Sequence, residues 1–397
     1  MRILHVTLGF YPAEGWGGPL KVAHHLCDNL VKRGHEVEVY CTNLLDKKHK
    51  IQPGTFTREI DGIKVTYFDT WNFRWWPGTL GPFWLPELPE VINREIKNFD
   101  VVHIHGFRTF MYIPVARACR KAGVPFVTQP HGTLYVAVNS LLVKRIYDML
   151  FEKQELEGVS GLIALFDGER QMAIKKGIAP ERVELIPNGI DISKRETLPE
   201  RGTFRKKHGL ADDRPLILFI GRINRMKGAD MLVEAYAHMQ RSDAQLAIVG
   251  PDDGHLAEVK AAIERLGLTE RILMPGLLSG SDVLAAFNDS DLFVLPSRLD
   301  IFPMTMVEAC LAGKPMVVTE GCGIANLVRD QVADVVPFDA KAFAAAVDGL
   351  LNDREKYARY QANTTKMLEE TFSIEAVVNR VEDLYRRVIS EKRAISS

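Results

Sequence analysis

The stretch "LILFIGRINRMKGADML" (216–232) decides the fold. Its first five residues read as a strand buried on both faces, Gly221 ends the run, and Arg222 and Lys227 fall on the turn that opens a helix. Strand, glycine turn and helix make the unit from which parallel sheets are built. The pattern recurs downstream in "QLAIVG", "RILMPG", "DLFVLPS" and "PMVVT". Upstream it is carried by "RILHVTL", "EVEVY", "KVTYF", "VVHIH", "PFVTQ" and "GLIAL". A helix over 19–33 is predicted from Leu20, Ala23, Leu26, Cys27, Leu30 and Val31 at helical spacing, with Gly34 ending it. The restart of the pattern after Pro215 predicts two similar α/β domains instead of one large sheet.

The polar segment 188–215 lies between the two halves, and the linker is placed near 187–213. The domains are therefore expected at 1–187 and 188–374. A closing amphipathic helix, about 375–397, carries Val377, Val378, Val381, Leu384 and Val388 on one face. A chain of 397 residues with 46% hydrophobic and 25% charged content is globular and long enough for two or three domains. Its net charge of −1 gives no field for nucleic acid, so no nucleic-acid partner is expected. The five cysteines show no metal-binding spacing and have apolar neighbours, which reads as buried free thiols in a reducing compartment. "MRILHVTLGF" runs straight into a strand, and no stretch reaches the ~18 apolar residues that span a bilayer. A cytoplasmic protein is expected, with the inner face of the membrane as a second location.

The second motif is "PSRLDIFPMTMVEACLAGKPMVV" (296–318). Asp300 is expected just past the carboxyl end of a strand, where open α/β sheets bind ligands. Pro303 suits a first helical turn, leaving the amides of Met304, Thr305 and Met306 free for an anion. Glu308, the only charge between Asp300 and Lys314, is read as a buried carboxylate in need of a hydrogen-bonding partner. A plain reading makes Asp300 a helix cap and Glu308 half of a buried salt bridge. Arg222 and Lys227 suit a diphosphate, Arg by forking two oxygens and Lys as a point charge. As a leaving group, that diphosphate would have its developing charge stabilised by them. The alternative for the pair is a solvated loop.

Together "GRINRMKG" and 296–318 resemble the signature of family 4 retaining glycosyltransferases of the GT-B fold. The resemblance extends over nearly the whole chain, through the opening segment, "VELIPNGID" (183–191) and "FSIEAVVNRVEDLYRRV" (372–388). It implies two Rossmann-like parallel-sheet domains facing each other across a cleft, the first on the acceptor side and the second holding a nucleotide-sugar. It also implies that Arg222 and Lys227 bind the donor diphosphate and that Asp300 contacts the transferred sugar. Phe302, Pro303, Met304 and Thr305 would hold phosphate and sugar, and Glu308 the ribose hydroxyls. The family usually has Glu where this chain has Asp300, one methylene shorter, which bears on the sugar hydroxyl reached.

In the first half, Gly15, Gly17 and Gly18 precede a helix, where backbone can approach a phosphate. By resemblance Gly17 and Gly18 face the donor phosphates; a flexible turn is the alternative. A dinucleotide fingerprint is rejected because an aromatic-proline loop intervenes and the spacing fails. By resemblance His131 lies near the transferred sugar, as a hydrogen-bonding group and not a nucleophile. His103 and His105 are expected on opposite faces of their strand and not as a metal pair, with His105 toward the acceptor. Asp289 and Asp291 in "NDSDLFVL" read as capping and turn chemistry, so no metal is expected. Trp71, Trp75, Trp76 and Trp84 crowd into 68–90 with Arg74, Phe73 and Phe83. The segment suits a peripheral membrane contact, an acceptor surface at Trp75 and Trp76, or a local aromatic cluster.

The sequence therefore predicts a retaining hexosyltransferase that needs no cofactor or metal. It would use a UDP- or GDP-sugar and a glycan, lipid-linked or small-molecule acceptor, in polysaccharide or glycolipid synthesis. The alternatives are a sugar-nucleotide epimerase and a non-catalytic nucleotide-sugar-binding relative.

Overall fold

The structure is a computed structural model, and it describes all residues except 14–17, 47–48, 73–82, 135–144 and 397. The chain divides into two compact units, Met1–Gly189 with Ile374–Ser397, and Ile190–Ser373.

The first unit is built on an eight-stranded sheet. Its strands are β1 (Arg2–Thr7), β2 (Glu36–Thr42), β3 (Phe56–Ile60), β4 (Ile63–Phe68), β5 (Val101–His105), β6 (Phe126–Gln129), β7 (Gly161–Ala164) and β8 (Val183–Leu185). They lie in the order β8-β7-β6-β5-β1-β2-β4-β3, parallel except for β3. Successive side chains alternate between faces. Ile3 joins one core layer, with helix α1 (Gly18–Lys32), while Leu4 and Val6 join the opposite layer, with helix α2 (Tyr112–Ala122). The C-terminal helix, Ile374–Ser396, packs on the α1 side through Val377, Val378, Val381, Leu384 and Val388. Both layers are aliphatic and aromatic, so each helix offers one apolar stripe to a face that strand alternation has already made apolar.

The second unit holds a six-stranded parallel sheet. Its strands are β9 (Leu216–Ile220), β10 (Gln245–Val249), β11 (Ile272–Gly276), β12 (Leu292–Leu295), β13 (Met316–Thr319) and β14 (Ala333–Val336), in the order β11-β10-β9-β12-β13-β14. The polar stretch expected as a connection carries a short helix, Thr203–His208, with Phe204 and Arg205 buried. Arg205 bonds the Asp291 carboxylate at 2.8 Å and the carbonyls of Asp289 and Arg214 at 3.2 and 2.9 Å. Charged composition here marks a helix tied down by a buried guanidinium. All five cysteines are free and buried. Among the described residues, no helix is long and apolar enough to cross a membrane.

Candidate active site

In the second unit the chain runs from β9 to β10 and β11 on one side, then continues through β12, β13 and β14 on the other. The strand order reverses between β9 and β12, and loops diverging at such a reversal leave a binding crevice at the carboxyl ends of the strands. Residues 221–228 follow β9 and residues 296–303 follow β12, which brings both sequence motifs to this point.

Lys227 Nζ and the Asp300 carboxylate form an ion pair there, with side chains 18% and 14% exposed. Arg222 is more open, 66% exposed, and donates from Nη1 to Asp253 at 2.9 Å. Asn224 donates to the same Asp253 carboxylate at 2.7 Å and accepts from the Lys227 N–H at 3.1 Å. Asn224 and Asp253 thus fix the loop that carries both cations, and sequence reasoning passed over both. An asparagine three residues before Lys227, opening a one-turn helix at Arg225–Lys227, was the available signal. Asp300 does not cap the following helix. Its N–H donates to the Gly321 carbonyl at 2.9 Å, and its carbonyl accepts from Gly323 at 2.6 Å.

Gly228 closes the cation loop with φ +73°, and a Cβ there would run into the Pro296 carbonyl oxygen. This glycine lets the Lys227 loop lie against the end of β12, so that Lys227 and Asp300 meet. Gly228→Ala combines an unfavourable φ with a backbone clash and is expected to cost at least ~2 kcal/mol. Urea unfolding of the variant checks this; a stability equal to the parent would show that the loop is not held here.

Phe302 and Pro303 are buried, and Pro303 sits just before helix α3 (Met304–Leu311) instead of inside its first turn. The Met306 N–H donates to the Pro303 carbonyl at 3.0 Å, so the expectation of three free amides fails at Met306. The hydroxyls of Thr305 and Ser297 are buried with no hydrogen-bond partner among the described residues. Glu308 is only partly buried, which corrects its reading as a buried carboxylate. The helical period explains this: Met306, Val307, Ala309 and Cys310 take the core face, and Glu308 turns away from it. Asp289 accepts from the N–H groups of Gly202 and Arg205 at 2.6 and 2.9 Å, and Asp291 pairs with Arg201 and Arg205, so both are engaged in holding the 202–205 turn.

The sheet of the first unit reverses between β1 and β5, and four histidines gather at that point. His5 on β1 stands opposite His103 on β5, and His131 follows β6. The rings of His103 and His105 stack with centroids 4.0 Å apart, which overturns the expectation of opposite faces. Residues two apart on a strand share a face; only adjacent ones alternate. His5 Nδ1 and His105 Nε2 are 2.8 Å apart, and His105 Nδ1 and His131 Nε2 are 3.1 Å apart. His103 Nδ1 lies 2.6 Å from the Tyr385 hydroxyl of the C-terminal helix. His131 has φ +52° and is followed by Gly132 at φ +80°, a turn held by Glu169, which accepts from Gly132 at 2.6 Å and from Leu165 at 3.0 Å. Gly18 opens α1, while Gly17, Trp75 and Trp76 lie outside the described residues. Trp71 and Trp84 face one another in a two-residue antiparallel ribbon and are exposed.

Burial lowers the pKa of His5 to about 3 and of His131 to about 4, and pushes His103 and His105 well below 6.5. Burial also raises Glu155 and Glu169 to about 7. The two groups act in opposite senses. The unfolded chain takes up imidazole protons that the folded chain refuses, so the histidines withdraw stability as pH falls through 6.5 toward 4. The folded chain holds carboxyl protons that the unfolded chain releases, so the glutamates withdraw stability as pH rises through 4.5 toward 7. His5→Leu is expected to flatten the loss of stability between pH 7 and 5, by up to ~1.4 kcal/mol per pH unit, and Glu169→Gln to steepen it. Urea melts at the two pH values check both signs; the same change of slope in both variants would contradict the assignment.

Residues 200–367 match the family model described as glycosyl transferases group 1, and residues 16–194 match glycosyltransferase family 4. The chain is 27% identical over 325 residues to an alpha-D-kanosaminyltransferase of Streptomyces kanamyceticus, covering 79% of this chain and 83% of that protein. It is 26% identical over 380 residues to a D-inositol 3-phosphate glycosyltransferase of Nocardia farcinica, covering 90% and 82%. Among solved structures, HepE of Anabaena in complex with UDP superposes with a TM-score of 0.73 at 19% identity, covering 96% of this chain and 99% of that one, a likeness of fold.

Proposed function

For a chain whose two halves belong to the glycosyltransferase families whose models they match, we propose retaining transfer of a hexosyl unit from a UDP- or GDP-sugar to an acceptor hydroxyl. The acceptor class is a glycan, a lipid-linked sugar or a small molecule, and the setting is polysaccharide or glycolipid synthesis on the cytoplasmic side, with peripheral contact to a membrane.

The observation that carries this reading is the Lys227–Asp300 ion pair at the sheet reversal of the second unit, with Arg222 on the same loop as Lys227. A carboxylate paired with one cation, on whose loop a second cation stands, matches a ligand whose anionic group adjoins a polyol. The cations take the diphosphate, and the carboxylate, relieved of Lys227, accepts from sugar hydroxyls. As the bond to the diphosphate breaks, negative charge grows on its oxygen, and Lys227 and Arg222 stabilise that charge without a metal. In this scheme Glu308, turned out of the core one helical turn beyond Thr305, takes the ribose diol. No side chain of the second-unit site stands as a covalent nucleophile in this scheme. The leaving diphosphate takes the acceptor proton on the face from which it departs, which keeps the anomeric configuration.

A panel of UDP- and GDP-sugars in a thermal-shift assay tests the reading, because a ligand of the native state raises Tm by mass action. Incubation of the selected donor with acceptors then distinguishes the outcomes. A new glycoside of unchanged anomeric configuration is the expected product. Release of an altered free sugar without acceptor would instead make the chain an epimerase, and binding without turnover would make it a non-catalytic relative.

A further inference from the structure

The histidine run in the first unit lies outside the donor chemistry above, and its hydrogen bonds constrain one another. Three neutral rings, His5, His105 and His131, are joined by two contacts of 2.8 and 3.1 Å. A neutral imidazole carries one N–H and one bare nitrogen, so His105 donates to one neighbour and accepts from the other. Both bonds therefore point the same way along the run. Two of the three protons are used in the bonds, and the third must sit at one of the two ends, His5 Nε2 or His131 Nδ1. Both end atoms are buried with no partner among the described residues.

The two ends differ. His5 is fully buried in the core, whereas His131 is partly exposed on the loop after β6. A buried N–H without a partner costs about 1–3 kcal/mol, and of the two end residues only His131 is partly exposed, so only there can a shift of the ring bring the N–H to an incoming oxygen. We propose that the buried run His5–His105–His131 fixes the tautomer of His131, holding its proton on Nδ1 as a hydrogen-bond donor for an oxygen of a sugar bound to the first unit. His5 and His105 are then positioning residues that act through His131, and Nδ1 of His131 is unavailable as a general base. The use of this donor in sugar transfer rests on the function proposed above; the tautomer itself does not.

His5, His103 and His105 also satisfy a distance criterion for a metal site, with candidate ligand atoms within 4.8 Å of one another. The geometry favours the hydrogen-bonded run. Two nitrogens on one tetrahedral zinc are separated by about 3.3 Å, given Zn–N bonds of 2.0–2.1 Å, and the His5–His105 contact of 2.8 Å is shorter. The His103 and His105 rings are stacked, so their lone pairs run side by side and do not converge. No carboxylate belongs to the cluster to balance a buried dication.

Nitrogen-15 NMR of the histidine rings in the whole ligand-free chain tests the proposal without any substrate. The expected spectrum has His131 with a protonated Nδ1 and a bare Nε2, and His5 and His105 in the same tautomer. In His5→Leu the far end of the run is lost and His131 becomes a mixture of tautomers. His5→Asn, with the shape of leucine but an amide that can donate to His105, restores the single tautomer. A wild-type spectrum with the His131 proton on Nε2 would overturn the proposal. So would a His131 signal unchanged in His5→Leu, or a Tm rise on adding zinc alone that is lost in His103→Phe. A chain that shows the expected tautomer yet fails every donor assay would keep the proposal and defeat the transfer reading.

Discussion

Lys227→Ala is expected to lower kcat by about 10²–10³-fold with whichever nucleotide-sugar the thermal-shift panel selects. The effect is large because Lys227 meets the charge that develops on the leaving diphosphate, and its side chain is largely shut from water, where such a charge is poorly screened. Arg222 stands on the same loop but is 66% exposed, so Arg222→Ala should cost less, nearer the 10²-fold end of that range. Unchanged Tm would show that the loop survives in each variant, since Asn224 and Gly228 hold it independently of the two cations. Activity of Lys227→Ala within a few-fold of the parent would remove the cation from the reaction.

Asp300→Asn is expected to move two measurements in opposite directions. In the ligand-free chain Asp300 neutralises Lys227. Replacing the carboxylate frees the ammonium for phosphate, so binding of the bare nucleoside diphosphate should tighten by about 1 kcal/mol, roughly fivefold. Transfer should nevertheless fall about 10²-fold, because the carboxylate no longer accepts from the sugar hydroxyls as the bond breaks. Calorimetry with UDP or GDP and initial rates with the matching sugar donor read the two effects separately. Loss of diphosphate binding together with activity would mean that Asp300 only braces the loop. Tighter binding with full activity would remove it from the sugar site.

Both sheets were legible because parallel strands buried on two faces read as continuous apolar runs, and "LILFIG" and "DLFVLPS" became β9 and β12. Strands β3, β8 and β14 escaped because "FTREI", "VEL" and "ADVV" lie at sheet edges, where charged residues are tolerated and the apolar signal fades. In the site, Lys227 and Asp300 were legible as residue types at strand ends, yet their pairing depends on strand order, which spacing along the chain does not give. Asp253 was invisible for the same reason: it lies after β10, a neighbour of β9 only once the sheet forms. Glu308 was misplaced because its apolar neighbours suggested burial, and the helical period that turns it outward was not applied to that one residue. The histidine run was missed through a face assignment; with His103 and His105 set on one face, their approach to His5 follows from the parallel register of β1 and β5.

The central claim is that the Lys227–Arg222 loop recognises a diphosphate. Isothermal calorimetry of the whole chain with UDP, UMP, GDP and GMP, repeated on a Lys227→Ala, Arg222→Ala double variant, tests it most directly. The expected result is that one diphosphate binds at least tenfold more tightly than its own monophosphate, about 1.4 kcal/mol, and that this gap disappears in the double variant. Equal affinity for the diphosphate and monophosphate of each base in the parent, or a gap that persists in the double variant, would contradict it.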